Sequence, residues 1–338
     1  MKRRAFLVAG SALAAITLLP RPSRAAAISP RLKEAVPGAS RLRGTPLEVV
    51  DTHVHLWNPE LGIFPGLEKP SDGFIGNNAA IARNYPLEEL LREGGSLVKP
   101  IKIVNIEALA TDTLKETEYL QKYADKTGFP QGIVIGTDLA RADAERELEK
   151  QATFSNVRGV RNILNLHPNP LLNYRDQNFM ANPTWRKNFS LLRKFNMSFD
   201  MQLYPHQNEE ALGLIREHPD TLFIINHAGM HADRTLEGWR QWRDGLRLLA
   251  APENTVMKIS GIGMLDHNWT VESFRPYVLE CLDAFGLQRC VFASNFPVDK
   301  LFGTYTDTWL AFAQIIDGFS PQEQRALLCS NAERVYRI

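Results

Sequence analysis

Residues 48–55, with the sequence Glu-Val-Val-Asp-Thr-His-Val-His, decide how the rest of the chain is interpreted. The segment begins as an apolar, β-branched run, which is typical of a buried strand. It ends in His53 and His55, whose side chains point the same way because alternate residues of a strand share a face. An open, doubly wound sheet usually carries a glycine-rich phosphate turn at this place. The His-Val-His ending therefore favours a closed barrel and gives no sign of a nucleotide cofactor.

Strand-like and helix-like segments alternate along the rest of the chain, which predicts parallel strands joined by crossover helices. Eight such units match a (β/α)₈ TIM barrel, predicted here as one domain over residues 47–338. The predicted strands are 47–51, 101–106, 132–137, 157–164, 198–203, 222–226, 255–260 and 290–294. The predicted helices are 86–94, 113–128, 141–153, 183–197, 208–217, 236–250, 271–285 and 321–335.

Polar residues end every predicted strand, and barrel enzymes keep their active sites at the C-terminal ends of their strands. Because they follow the first strand, residues 56–85, rich in Pro, Gly and aromatics, are predicted to form a lid over that end. Two neutral imidazoles at the end of the first strand suit either a divalent metal ion or hydrogen bonds to a substrate carbonyl. The candidate site residues outside the first strand are Glu107, Arg161, Gln202, His206, His227 and Asn295.

Several polar residues have a structural interpretation. Asp51 is expected to be a packing partner low in the barrel, and Asp200 with Lys258 an internal ion pair, because a lone buried charge is very costly. Asp299 is expected to cap the segment that follows the last strand. His206 either contacts substrate or lies at the surface as part of a helix start.

The first 27 residues have the three-part plan of a secretory signal: a basic start, an apolar stretch and a small-residue cleavage site after Ala27. Arg3 and Arg4 with the apolar residues after them resemble the twin-arginine signal, which exports folded proteins. A general secretory signal or an uncleaved anchor is the alternative. Residues 28–46 are predicted to be a polar leader. The expected location is the periplasm.

Composition excludes several classes of protein. The chain has 338 residues, a net charge of +1 and 44% hydrophobic residues, which is ordinary for a globular protein and lacks the basic excess of a nucleic-acid binder. Three cysteines, with no Cys-x-x-Cys pair, exclude a disulfide framework and a thiolate zinc site. The expected partner is a small-molecule substrate, with no nucleic acid and no membrane after signal cleavage; the oligomeric state stays open.

Five motifs in order resemble the amidohydrolase superfamily, and specifically its lactonase branch of pyrone-dicarboxylate, sulfomuconolactone and fuconolactone hydrolases. The resemblance implies a distorted (β/α)₈ barrel that hydrolyses a cyclic ester. It places His53 and His55 at the floor of the site, matches His227 to the histidine after strand six, and gives Arg161 a substrate carboxylate to hold. The motifs are Val-Asp-Thr-His-Val-His-Leu-Trp (50–57), Val-Arg-Gly-Val-Arg (157–161), Asn-His-Ala-Gly (226–229), Lys-Ile-Ser-Gly (258–261) and Phe-Ala-Ser-Asn-Phe-Pro (292–297).

One position departs from that family: the strand-eight Asp, which accepts the proton of the attacking water, is here Asn295. An amide does not titrate in the useful range and cannot act as a base. It can still orient water or a carbonyl, or bind a metal weakly. Glu107 either replaces the missing base or anchors Arg161. The cofactor is either absent or a single divalent ion, with zinc on His53, His55 and His227 as the expected arrangement.

The sequence supports three hypotheses. The first is an exported hydrolase of a small, carboxylated lactone or cyclic ester. The second is a decarboxylase, another lyase or a lactone isomerase on the same scaffold, which the loss of the water-activating Asp favours. The third is a non-catalytic binding protein for small acids.

Overall fold

A computed structural model describes residues 45–338, so the predicted signal and most of the leader lie outside the described residues. Eight parallel strands form one sheet in which each pairs with the next along the chain. The last strand returns to the first through a bridge between Val54 and Phe296, where the His55 N–H donates to the Phe296 carbonyl at 2.8 Å. The strands are β1 Leu47–Val54, β2 Val98–Ile106, β3 Gly132–Gly136, β4 Val157–Ile163, β5 Ser198–Gln202, β6 Phe223–Ile225, β7 Thr255–Ile259 and β8 Cys290–Phe292. The predicted (β/α)₈ barrel is therefore confirmed.

Three predicted helices have the expected bounds, and the others differ at their ends. The predicted helix 183–197 is divided at Ser190, and 321–335 contains a π turn over Ala326–Ser330. Tyr305–Ile315 is an additional helix. It was missed because it is buried on most sides, including Trp309, and so lacks the polar face on which helical periodicity depends. The α-helices are Pro65–Glu68, Leu87–Glu93, Thr113–Thr127, Ala144–Gln151, Pro183–Phe189, Leu191–Lys194, Asn208–Glu217, Leu236–Ala250, Val271–Phe285, Tyr305–Ile315, Pro321–Arg325 and Asn331–Tyr336. None of those within residues 45–338 has the length and hydropathy of a membrane span.

Residues 56–85 form a compact insertion after β1. They contain a 3₁₀ turn, the short helix Pro65–Glu68 and a small hairpin that pairs Asp72–Gly73 with Gly76–Asn77. The Tyr85 N–H donates to the Trp57 carbonyl at 3.0 Å, which joins the two ends of the insertion. Its buried apolar side chains pack against the barrel core, so the insertion is fixed at its base.

Buried charges inside the barrel have the structural roles expected of them. Lys258 pairs with Asp200 at 2.5 Å, and both side chains are fully buried. The Tyr336 hydroxyl donates to the same carboxylate at 2.9 Å. Asp51 accepts the backbone N–H groups of His53 and Ser294 at 3.2 and 3.0 Å, which ties β1 to the end of β8.

Candidate active site

A cavity of about 340 Å³ lies at the C-terminal end of the strands. Its polar floor is built from residues at the ends of five different strands, while the insertion after β1 and neighbouring loops supply its upper walls. The floor residues are His55, Arg161, Gln202, His227 and Asn295. All five are at most 5% exposed, so the floor is shielded from bulk water by the walls above it.

Three histidines predicted from the sequence meet at this floor. The ring of His53 lies 5.0 Å from that of His55 and 4.6 Å from that of His227, centroid to centroid. His55 and His227 line the cavity, whereas His53 is fully buried among them. Neither ring nitrogen of His53 has a hydrogen-bond partner. A buried polar group without a hydrogen-bond partner lowers the stability of the fold. We therefore expect His53 to have a role besides packing.

Hydrogen bonds orient two of these rings. His55 Nδ1 lies 2.8 Å from the Ile106 carbonyl, which can only accept, so Nδ1 carries the proton and Nε2 keeps its lone pair. The ring of His55 also stacks on Trp57 at 5.6 Å. His227 Nδ1 contacts the Ser260 hydroxyl at 3.0 Å. These contacts hold both imidazoles in place at the edge of the cavity.

Burial favours the neutral form of all three imidazoles. Burial, with a smaller contribution from the Arg161 cation, lowers the pKa of His55 to about 3. Burial is also the main cause that puts the pKa values of His53 and His227 well below the usual range, and the cations Lys258 and Arg161 act in the same direction. Neutral imidazoles can accept a proton or donate a hydrogen bond, and both abilities are useful at a carbonyl.

The backbone at two floor residues is unusual. His227 and Asn295 have φ values of 55° and 60°, in the left-handed region that non-glycine residues seldom adopt. Asn tolerates this region better than most residues do. Gly261 is required beside them, because a Cβ there would lie 2.5 Å from His227 Nδ1. Such conformations concentrate at functional sites, where the surrounding structure holds them.

Arg161 points into the barrel and is paired with Glu107. Its Nε donates to Glu107 Oε1 and one Nη donates to the Glu107 carbonyl oxygen, both at 2.7 Å. The other Nη faces Gln202 Oε1 at 3.4 Å. Glu107 Oε2 accepts the Leu109 N–H at 2.7 Å, so both carboxylate oxygens are engaged. Of the two roles predicted for Glu107, the geometry favours the anchor of Arg161 over the general base.

The structure favours one of the two roles predicted for His206 and corrects the prediction for Asp299. His206 is exposed at the start of a helix and does not line the cavity, and its Nε2 donates to the Leu166 carbonyl at 3.0 Å, which agrees with a surface role and not with substrate contact. Asp299 is not a helix cap. It is buried, and Asn295 Nδ2 donates to its Oδ1 at 3.4 Å, because the chain turns back after β8. Burial raises the pKa of Asp299 to about 8. Its spacing of four residues from Asn295 was the one sequence signal that could have indicated this contact.

The expected zinc set was tested against this geometry. Within residues 45–338, no group of three or more His, Cys, Asp or Glu side chains is arranged to hold a metal ion. The floor also offers an amide at Asn295 where a carboxylate would favour a cation, and Arg161 and Lys258 place positive charge near the histidines. These residues do not fit a resident zinc ion, so no step below depends on one.

The family model for amidohydrolases matches residues 50–338, which is most of the chain and all eight strands except the start of the first. The chain belongs to the amidohydrolase family. This confirms the family-level resemblance of the five motifs.

Two sequence relatives and one solved structure are similar to this amidohydrolase over most of its length. It is 40% identical over 300 residues to uncharacterized protein y4mH of Sinorhizobium fredii, covering 86% of this chain and 99% of that one. It is 27% identical over 305 residues to an L-fucono-1,5-lactonase of Burkholderia ambifaria, covering 86% and 95%. A crystal structure of a zinc-bound amidohydrolase from Burkholderia multivorans has the same fold, with a TM-score of 0.71 and 23% identity over 86% of this chain and 99% of that one.

Proposed function

We propose that this amidohydrolase hydrolyses a small, carboxylated lactone or cyclic ester. The observation that carries the proposal is the floor of the cavity, where neutral His55 and His227, Arg161 and Asn295 converge at the C-terminal end of the barrel. The similarity to an L-fucono-1,5-lactonase supports a ring ester as the substrate class.

The proposed reaction adds water to the ester carbonyl. One O–H bond of water breaks as its oxygen bonds to the carbonyl carbon, and the proton moves to the unprotonated Nε2 of His55. His227 donates a hydrogen bond to the carbonyl oxygen as it becomes negative, and Arg161 holds the substrate carboxylate. Collapse of the tetrahedral intermediate breaks the ring C–O bond, and the leaving alkoxide takes the proton from His55. The product is an open-chain hydroxy acid.

Asn295 orients the water or the carbonyl in this scheme, since it cannot accept a proton. Burial lowers the pKa of His55 to about 3, so its protonated form readily returns the proton to the alkoxide, while its neutral form is a weak base and depends on Asn295 to hold the water in position. His55 thus both accepts and returns the proton, and the scheme needs no carboxylate at the floor.

Hydrolysis in ¹⁸O-labelled water tests the proposal. Purified protein, washed with chelator, is given a panel of carboxylated and uncarboxylated lactones, and the product is analysed by mass spectrometry. A hydrolase transfers one ¹⁸O into the product carboxylate. Loss of CO₂ or formation of an isomeric lactone without label would support the lyase or isomerase alternative, and binding without turnover would support a binding protein.

We further propose that the protein is exported to the periplasm, carried by the twin-arginine-like segment around Arg3 and Arg4. That segment lies outside the described residues, so the proposal depends on the sequence alone. Export of a folded chain suits a barrel whose three cysteines are all buried and free.

A further inference from the structure

The upper part of the cavity is apolar, in contrast to its floor. Ten of the lining residues have apolar side chains, and they come from the insertion 56–85 and from the ends and following loops of β2, β4, β7 and β8. Those from the insertion are Trp57, Pro65, Leu67, Ile75 and Ile81. A substrate whose ester lies on the polar floor therefore has most of the rest of its body against hydrocarbon, with Asn78 and Tyr174 as the polar side chains of the walls.

Polar atoms of the insertion are already engaged elsewhere. Asn78 lines the cavity, but its Oδ1 accepts the Ser71 N–H at 2.9 Å and its Nδ2 donates to the Gly66 carbonyl at 2.9 Å. Trp57 Nε1 donates to the Arg83 carbonyl at 3.0 Å and presents its ring to the cavity. The insertion thus offers few hydrogen bonds to the hydroxyl groups of a bound sugar.

The charge of the floor is also balanced. The Arg161 guanidinium is neutralised by Glu107, and both side chains are 5% exposed. The cavity can accept a substrate with a single carboxylate near Arg161. Additional charged or hydroxyl groups would be desolvated on binding without gaining hydrogen-bond partners in the protein. Each buried hydroxyl left without a partner lowers affinity by about tenfold or more.

We infer that the preferred substrate is a lactone with an apolar substituent, alkyl or aryl, directed at the insertion 56–85, and not a polyhydroxylated sugar lactone. This inference rests on the proposed lactone hydrolysis. The inferred substrate differs from that of the relative named L-fucono-1,5-lactonase in the substituents on the lactone ring, while the proposed reaction is the same. The insertion, with Leu67, Ile75 and Ile81, is the element that sets this specificity.

A matched pair of six-membered lactones tests the inference. We expect kcat/KM for a δ-lactone with a pentyl chain to exceed that for L-fucono-1,5-lactone by about 100-fold or more, because several hydroxyls of the sugar ring would meet apolar walls. Equal values, or a preference for the sugar lactone, would overturn the inference.

A variant of one wall residue tests whether the insertion causes the preference for an apolar substituent. Ile75 is only partly buried, so Ile75→Asn should fold. It should lower kcat/KM for the pentyl lactone by about tenfold and leave that for the sugar lactone unchanged or higher. Leu171→Asn is the matched control, since Leu171 is 66% exposed and lies outside the cavity. Equal effects of Ile75→Asn on both lactones would contradict the inference.

A binding measurement separates failure of the inference from failure of the proposed function. If neither of these lactones is hydrolysed, and no carboxylated lactone of the ¹⁸O panel is hydrolysed either, the hydrolase proposal fails. Calorimetric titration with the two ring-opened hydroxy acids then decides the cavity's preference. Tighter binding of the pentyl acid supports the apolar substrate class, and equal or weaker binding refutes it.

Discussion

The side-chain amide of Asn295 donates to the carboxyl of Asp299 at 3.4 Å, so this floor residue after β8 is itself held by a buried acid. The Asp299 N–H also donates to the Asn295 carbonyl at 3.0 Å. With Nδ2 engaged by Asp299, the amide oxygen is left for the floor of the cavity. A carboxyl group therefore lies next to the floor of the cavity, in contact with Asn295.

Asn295→Asp should increase zinc retention. A carboxylate is a better ligand for a divalent ion than an amide, and it would stand beside His53, His55 and His227. We expect higher metal content by elemental analysis after dialysis against zinc, with lactone turnover preserved or raised. Asn295→Ala is the comparison and should lower turnover by about 10²-fold. An Asn295→Asp protein that binds no more zinc and loses all turnover would show that the amide has a role of its own.

Asp299→Asn should change how stability depends on pH. Burial raises the pKa of Asp299 to about 8 from an ordinary 3.8, so the folded protein binds this proton more tightly than the unfolded chain. Such a group lowers stability as pH rises between these two values, and the loss is complete above the folded pKa. The amide variant lacks this loss, so its Tm should gain on the wild type between pH 5 and 8. Calorimetry at several pH values measures this, and a constant difference would mean that Asp299 ionises normally.

Arg161→Lys should raise KM for a carboxylated lactone by about tenfold or more, because lysine cannot make the two-pronged contact of a guanidinium. It also loses one of the two hydrogen bonds to Glu107. An uncarboxylated lactone of the same ring size is the control and should show a smaller change. Steady-state kinetics that give the same KM for both proteins would assign Arg161 a purely structural role.

His55→Ala should lower kcat by about 10²-fold or more while changing Tm little, because a residue of the cavity floor contributes little to the core. His206→Ala should leave kcat and KM within about twofold, as expected for exposed surface residues. Parallel kinetics and thermal melts of both variants check the two expectations. A large loss of activity in His206→Ala would restore the substrate role predicted from the sequence, and a large drop in Tm for His55→Ala would make that residue structural.

Replacement of both Arg3 and Arg4 by Lys should leave the protein in the cytoplasm with its signal uncleaved, since the twin-arginine receptor reads the arginine pair. Fractionation and intact-mass measurement of the accumulated chain report both effects. Normal export of the double variant would remove the twin-arginine assignment and leave a general secretory signal.

The fold and the floor of the site could be predicted because they depend on local patterns. Alternation of β-branched runs with helical segments is sufficient for a barrel, and strand polarity places chain-distant residues such as His55 and His227 at the same end of it. The internal pair of Lys258 with Asp200 followed from the cost of a lone buried charge. Residue type and order carry this information without knowledge of the tertiary contacts.

Tertiary structure decided which partner each polar group finds. The choice of Glu107 as anchor and not base depends on whether its two oxygens are free, and the contact of Asp299 with Asn295 depends on how the chain turns after β8. The apolar upper wall depends on how residues 56–85 pack over the floor. Distances of a few ångströms between segments far apart in sequence determine hydrogen bonding and burial, and no local pattern encodes them.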